Sequence, residues 1–111
     1  MSKHYRFVAL VNAKEGRDDE FNGWHSSRHL PEVVRAAGFT RGERFKLVEG
    51  SAGDNTVYRY LVLFEGEGDP ISALSKLGAA MTAGEIHISE SLGGPLWASM
   101  YEAIPGAEFV A

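Results

Sequence analysis

The segment VYRYLVLFE, residues 57–65, is the strongest predicted strand in the sequence, and it is apolar on both faces. Val57, Leu61 and Leu63 fall on one face, whereas Tyr58, Tyr60, Val62 and Phe64 fall on the other. The segment HYRFVALVN, residues 4–12, has the same property. A strand with one solvated face should instead alternate between apolar and polar residues. Both segments therefore predict a sheet that is covered on both sides.

Together with the remaining elements, these two strands give the order strand, helix, strand, strand, helix, strand along the chain. One helix is predicted to begin near Asp18, a good N-cap residue, and another to open at Asp69-Pro70. The other predicted strands are residues 39–49 and 96–104, with loops at 50–56 and 84–95. This order predicts an α+β protein with the ferredoxin-like βαββαβ fold, in which two helices cover one face of a four-stranded antiparallel sheet.

Pro31 interrupts the first predicted helix. A proline cannot donate a hydrogen bond to the carbonyl of Ser27, and it disfavours helical angles at Leu30. We therefore predict a kink or a break at residues 28–30, followed by a short helical turn that ends at Gly38.

The second face of the sheet needs a cover that the two helices do not provide. The simplest cover is another copy of the same sheet, because large exposed apolar patches are uncommon on monomers. The sequence therefore predicts a homodimer that forms a dimeric α+β barrel. The alternative is an open-faced monomer with an excess of surface aromatic residues.

The composition limits the classes of partner. The 111 residues predict a single domain over residues 1–111. The formal charge of −4, with scattered lysines and arginines, argues against a nucleic-acid partner. The absence of cysteine excludes disulfides and cysteine-ligated zinc. Neither a secretory signal nor a bilayer-spanning apolar segment is evident, so we expect a cytoplasmic protein without a membrane partner.

Two longer segments carry a resemblance to known proteins. The segment DEFNGWHSSRHLPEVVRAAGF (19–39), followed by RGERF (41–45), resembles the first helix and second strand of the EthD-like and related dimeric α+β barrel families. The segment 58–77 is similar to their third strand and second helix. The resemblance implies the dimeric barrel fold. It also implies a range of activities that includes cyclases, isomerases, lyases and cofactor-free monooxygenases.

Two histidines are the predicted catalytic residues. His29 directly precedes the expected helix break, where its side chain could turn into the space between helix and sheet. An imidazole can both accept and return a proton near neutral pH. The alternative is that His29 caps the freed carbonyls of Ser26 or Ser27. His87 is the second candidate, and its alternative is a solvated loop histidine.

Six further side chains are predicted to bind substrate: Trp24, His25, Arg28, Arg44, Tyr60 and Trp97. Aromatic rings could line an apolar pocket, and arginines could orient a carboxylate or an enolate. Ordinary packing and salt bridges to Glu20, Glu32 or Glu43 are the competing interpretations. His25 lies four residues before His29, a spacing that suits metal ligands, but two histidines are too few and no metal is predicted.

The sequence leaves two functions open. The first is a cofactor-independent enzyme that acts by proton transfer on a small hydrophobic compound, aromatic or carbonyl-bearing. No phosphate-binding glycine loop or nucleophile motif is present, so no cofactor is predicted. The second is a binding or accessory protein that captures a small ligand in the same pocket without catalysis.

Overall fold

The computed structural model describes residues 3–51, 53 and 58–111. Its elements follow the predicted order, with the first helix divided into three parts. They are β1 (Lys3–Ala13), α1 (Asp18–Trp24), a π-helical turn (His25–His29), α2 (Leu30–Ala37), β2 (Arg41–Lys46), β3 (Tyr60–Gly68), α3 (Pro70–Thr82) and β4 (Leu92–Glu102). Val57, the predicted first residue of the third strand, lies outside the described residues.

The four strands form one antiparallel sheet in the order β2-β3-β1-β4. Strand β1 is central, and its Val8 lies opposite Leu63 on one side and Ser99 on the other. The helices pack on one face of this sheet, where Phe21 and Val33 join the core. The predicted ferredoxin-like α+β fold is therefore confirmed. No helix within the described ranges has the length and apolar character needed to span a membrane.

The predicted end of the first helix is wrong in one respect. Pro31 does not break the helix, because the chain remains helical from Asp18 to Ala37. The turn before the proline is π-helical, and the amide of Leu30 donates to the carbonyl of His25, five residues earlier. Pro31 then lies in the first turn of α2, where a missing amide hydrogen costs little. Gly38 ends α2 in the left-handed conformation, as predicted.

Three predicted boundaries also differ. Strand β4 begins at Leu92 rather than at residue 96, because Gly93 pairs closely with β1. A Cβ on Gly93 would lie 2.8 Å from the carbonyl oxygen of Ala13, so only glycine fits there without a shift. Strand β2 is shorter than residues 39–49, since Phe39 is buried among core aromatic rings. Arg17 rather than Asp18 occupies the N-cap of α1.

The core lies between the helices and one side of the sheet. The rings of Phe7, Phe39 and Phe64 stack at centroid distances of 5.1 to 6.2 Å. Tyr60 and Val62 continue this side of β3 and are buried. The side of β3 that carries Tyr60, Val62 and Phe64 therefore faces the helices.

The alternate residues of the strands point to the opposite side of the sheet, and many of them are also apolar. One row across the four strands consists of Phe45, Leu61, Leu10 and Trp97. Phe45 and Trp97 at its ends are 43% and 37% exposed. The neighbouring row contains Val8 and Leu63. The helices leave this apolar surface, called the open face below, uncovered.

Gly66 supplies a test of the packing between sheet and core. It lies opposite Tyr5, and a Cβ at this position would overlap the buried tyrosine ring. We expect Gly66→Ala to lower the free energy of unfolding by about 1–3 kcal/mol in denaturant titrations, as for overpacked cores. Gly78→Ala is the matched control. Gly78 is exposed in α3 with open space around it, so alanine should stabilise the helix by up to about 1 kcal/mol. Equal effects would contradict this packing.

Candidate functional site

A cavity of about 200 Å³ lies between the helices and the sheet. Its floor includes Phe7 and Phe64 from the sheet, and Leu77 of α3 forms part of its wall. Almost all of its lining is apolar, apart from the imidazoles of His25 and His29. The π-helical turn carries both imidazoles, so one short segment supplies the polar groups of the cavity. π-Helical turns occur frequently at functional sites.

His25 is only 2% exposed. Its ring packs against Phe21 at a centroid distance of 5.1 Å and against Trp24 at 5.4 Å. Burial lowers the pKa of His25 to about 3, and the charges of Arg44 and His29 act in the same direction. The Nδ1 atom is buried and has no hydrogen-bond partner among the described residues. His25 is therefore a neutral imidazole with an unsatisfied polar atom.

His29 lies next to His25, with ring centroids 5.0 Å apart, and 4.8 Å from Trp24. Burial is the main cause that lowers its pKa, and Arg44 adds to this. The Glu32 carboxylate and a hydrogen bond with the His87 backbone oppose the shift. The Nδ1 atom is buried and finds no partner in the part of the chain that is described.

The Nδ1 atom of His29 lies in the wall of the apolar cavity without a partner among the described residues. In one of the two neutral tautomers of imidazole this atom carries a lone pair that can accept a proton. Among the described residues, no hydrogen bond joins His29 to the carbonyls of Ser26 or Ser27, which was the predicted alternative.

His87 contributes its backbone rather than its imidazole. The side chain is exposed and does not line the cavity. The carbonyl accepts from Trp24 Nε1 at 3.2 Å, and the amide donates to Glu32 Oε1 at 3.0 Å. The structure therefore does not bring the imidazole of His87, the second predicted catalytic residue, to the cavity that holds His29. Sequence spacing could not reveal this, because it does not show which way a loop side chain points.

The other predicted binding residues divide into three groups. Trp24 lines the cavity together with the two imidazoles. Arg28 is exposed and forms an ion pair with Glu32 at 3.2 Å, which was the competing interpretation. Trp97 lies on the open face opposite Leu10 and away from the cavity lining. The structure therefore does not bring Arg28 or Trp97 to this site.

Arg44 and Tyr60 belong to a separate cleft. The Arg44 guanidinium carbon lies 5.4 Å from the centre of the Phe21 ring and 5.5 Å from that of Tyr60. The Tyr60 hydroxyl donates to Asp18 Oδ2 at 2.5 Å and accepts from Asn22 at 3.3 Å. Neither Arg44 nor Tyr60 lines the cavity that holds the imidazoles.

Several cavity residues were not predicted as site residues. Ile88, Leu92 and Leu96 close one side of the cavity, and Met81 of α3 contributes to it. The alternation of Ile86 and Ile88 in the loop was the available signal, because one isoleucine is buried and the other lines the cavity. Within residues 3–51, 53 and 58–111, no group of three or more histidine or acidic side chains is placed to hold a metal.

Comparisons with known proteins agree on the fold. No family model matches the sequence, and no curated protein matches it significantly. Among solved structures, an antibiotic-biosynthesis-monooxygenase-type protein from Bordetella bronchiseptica aligns with a TM-score of 0.65 and 12% identity, covering 94% of this chain and 99% of that one. An EthD family protein from Bacillus halodurans aligns with a TM-score of 0.55 and 14% identity, with coverages of 91% and 99%.

A third structure shows what a protein of similar fold can bind. A mutant of MhuD with two manganese protoporphyrin IX molecules per active site aligns with a TM-score of 0.59 and 16% identity, covering 96% of this chain and 99% of that one. At these identities the likeness shows a shared EthD-like, ferredoxin-like fold. It does not assign a reaction, since such folds carry many chemistries.

The buried His25 predicts a loss of stability in acid. Below pH 6.5, the ordinary pKa of histidine, the unfolded chain binds a proton that the folded chain excludes until about pH 3. The free energy of unfolding should therefore fall by up to about 1.4 kcal/mol for each unit of pH below 6.5. Denaturant titrations of His25→Gln should lack this part of the slope, whereas the exposed-site control His4→Gln should keep it. Identical slopes in both variants would contradict the burial of a neutral His25.

Proposed function

We propose that this protein is a cofactor-independent enzyme that transfers a proton on a small hydrophobic substrate, aromatic or carbonyl-bearing, with His29 as the base. The buried Nδ1 of His29 is the observation that carries the proposal, because it lies in the wall of an apolar cavity and has no partner among the described residues. A lowered pKa keeps this imidazole neutral and ready to accept a proton at neutral pH.

The cavity also supports the class of substrate. Its volume of about 200 Å³ is below the usual range for drug-sized ligands, which favours a compact molecule of one or two rings. Trp24, Phe7 and Phe64 offer flat apolar surfaces on which a ring can pack. The second imidazole, His25, provides a polar contact for a carbonyl or enolate oxygen.

A chromogenic probe can test the base directly. The compact bicyclic 5-nitrobenzisoxazole loses its ring C–H proton to a base while its N–O bond breaks, which gives a nitrile and a coloured phenolate. We expect the protein to accelerate this ring opening and His29→Ala to lower the rate by about 10²–10⁴-fold. Circular dichroism should show that His29→Ala remains folded.

His87→Ala is the matched control for this assay. It removes an exposed imidazole but keeps the backbone carbonyl and amide that hold Trp24 and Glu32. Its rate should equal that of the unaltered protein. No acceleration by the unaltered protein, or full activity of His29→Ala, would contradict the proposed base.

The second candidate function is ligand capture without catalysis. It is supported by the almost entirely apolar lining and by the position of His87, whose imidazole does not join His29. A non-catalytic protein should bind the same probe without opening its ring. Fluorescence of Trp24 in a Trp97→Phe background reports binding separately from reaction, since these are the two tryptophans of the chain.

We propose further that the protein is a homodimer in which a second copy covers the open face. The apolar row of Phe45, Leu61, Leu10 and Trp97, which is exposed at both ends, supports this, because an apolar surface across four strands is costly in water. A solved structure of similar fold from Thermobifida fusca, with a TM-score of 0.52 and 12% identity, is described as a dimeric ferredoxin-like protein.

Light scattering at micromolar concentration should give twice the chain mass. Leu61→Glu should dissociate the dimer, because it buries an unpaired charge at the centre of the open face. Ile71→Glu, on the exposed side of α3, should leave the mass unchanged. A monomeric unaltered protein would contradict the dimer.

A further inference from the structure

A second cleft, of about 300 Å³, opens between α1 and β2. Its lining consists of Asn22, Ser26, Arg44, Phe45, Lys46 and Tyr60. Two of these six residues are cations, and none is an acid. The cleft shares no lining residue with the cavity of His25 and His29.

Arg44 is the unusual group in this cleft. Its Nη1 donates to Ser26 Oγ at 2.8 Å and to the Asn22 carbonyl at 3.4 Å, and its Nη2 donates to Asn22 Oδ1 at 2.8 Å. All three acceptors are neutral. The Nε atom is buried and, among the described residues, unpartnered. A guanidinium has five N–H donors, so the Nε–H and one Nη2–H remain for another acceptor.

The charge of Arg44 is also uncompensated. Other arginines of the chain form ion pairs, such as Arg28 with Glu32 and Arg41 with Glu65. In the described ranges, no carboxylate forms an ion pair with Arg44 or with Lys46. Burial lowers the pKa of Arg44, which shows that its charge is partly removed from water. A desolvated cation without a counterion is costly until an anion binds.

Lys46 reinforces this charge. It lies two residues after Arg44 on β2, so both side chains leave the strand on the same side. Its ammonium group is exposed at the cleft, whereas Arg44 is half-buried. The Ser26 hydroxyl adds a neutral hydrogen-bonding group, and the Tyr60 ring gives apolar surface beside Arg44.

We propose that this cleft binds a small oxyanion, through Arg44 and Lys46, at a site separate from the imidazole cavity. The acceptor is a carboxylate or phosphate group, because both match the remaining edge of a guanidinium and the charge of the ammonium. The adjoining Tyr60 ring favours a carboxylate carried on a compact aromatic ring. The site does not depend on proton transfer by His29.

Calorimetric titration with benzoate and with inorganic phosphate, at low ionic strength, tests this site. Arg44→Met keeps the aliphatic stem against Phe21 and Tyr60 but removes the charge, and it should weaken binding by about ten-fold or more. Lys46→Gln, at an exposed position, should weaken binding by a smaller factor. It can still test the site if Arg44→Met does not fold. Lys76→Gln, an exposed residue of α3 with the same loss of charge, is the matched control and should bind as before.

The outcomes separate this site from the proposed active site. His29→Ala should bind benzoate as tightly as the unaltered protein, because benzoate held in the cleft does not touch that imidazole. Tighter binding of benzoate assigns an aromatic carboxylate to the cleft, and tighter binding of phosphate assigns an inorganic oxyanion. Absence of saturable binding to both probes, or equal losses in Lys46→Gln and Lys76→Gln, would overturn the proposal.

Discussion

The backbone of His87 is the attachment point on which the candidate site depends. Its carbonyl accepts from Trp24, and its amide donates to Glu32, so one residue of the loop before β4 is bound to two turns of the first helical stretch. The same backbone faces His29. These contacts hold Ile88 and the following strand against the cavity. The loop therefore closes the cavity beside the His29 imidazole.

The π-helical turn explains why two imidazoles can share one small apolar space. Residues 25–29 carry both histidines through a single wide turn, and Pro31 follows in a position that tolerates its missing amide hydrogen. Desolvation then lowers the pKa of both rings. His25 is the more deeply buried of the two and remains neutral far into the acid range. At this place the fold accepts two buried nitrogen atoms that have no partner in the described part of the chain. Unsatisfied buried atoms are uncommon in proteins, and they call for a ligand or a functional role.

Most of the fold followed from local patterns in the sequence, whereas the site followed only in part. The strand around residues 60–65, the Asp69-Pro70 helix start and the left-handed Gly38 are local features, and each was predicted correctly. His29 was proposed because its place before Pro31 is also local, and the structure brings it to the cavity. The role of His87 was missed because it is carried by backbone atoms, which every residue shares. Trp97 was assigned to the site although it lies opposite Leu10 on the open face, because the sequence does not show which face of the sheet the helices cover.

The central sheet separates the functions that its two faces can perform. The side of β1 and β3 that faces the helices supplies the floor of the cavity, while the opposite side presents the apolar row around Leu10 and Leu61. Alternating residues of the same strands thus serve packing on one side and, in the proposed dimer, association on the other. Arg44 connects the two remaining polar sites, because its charge lowers the pKa of both His25 and His29 from across the Phe21 ring. An anion that neutralises Arg44 would weaken this effect, so occupancy of the cleft and basicity of the imidazoles are linked by electrostatics.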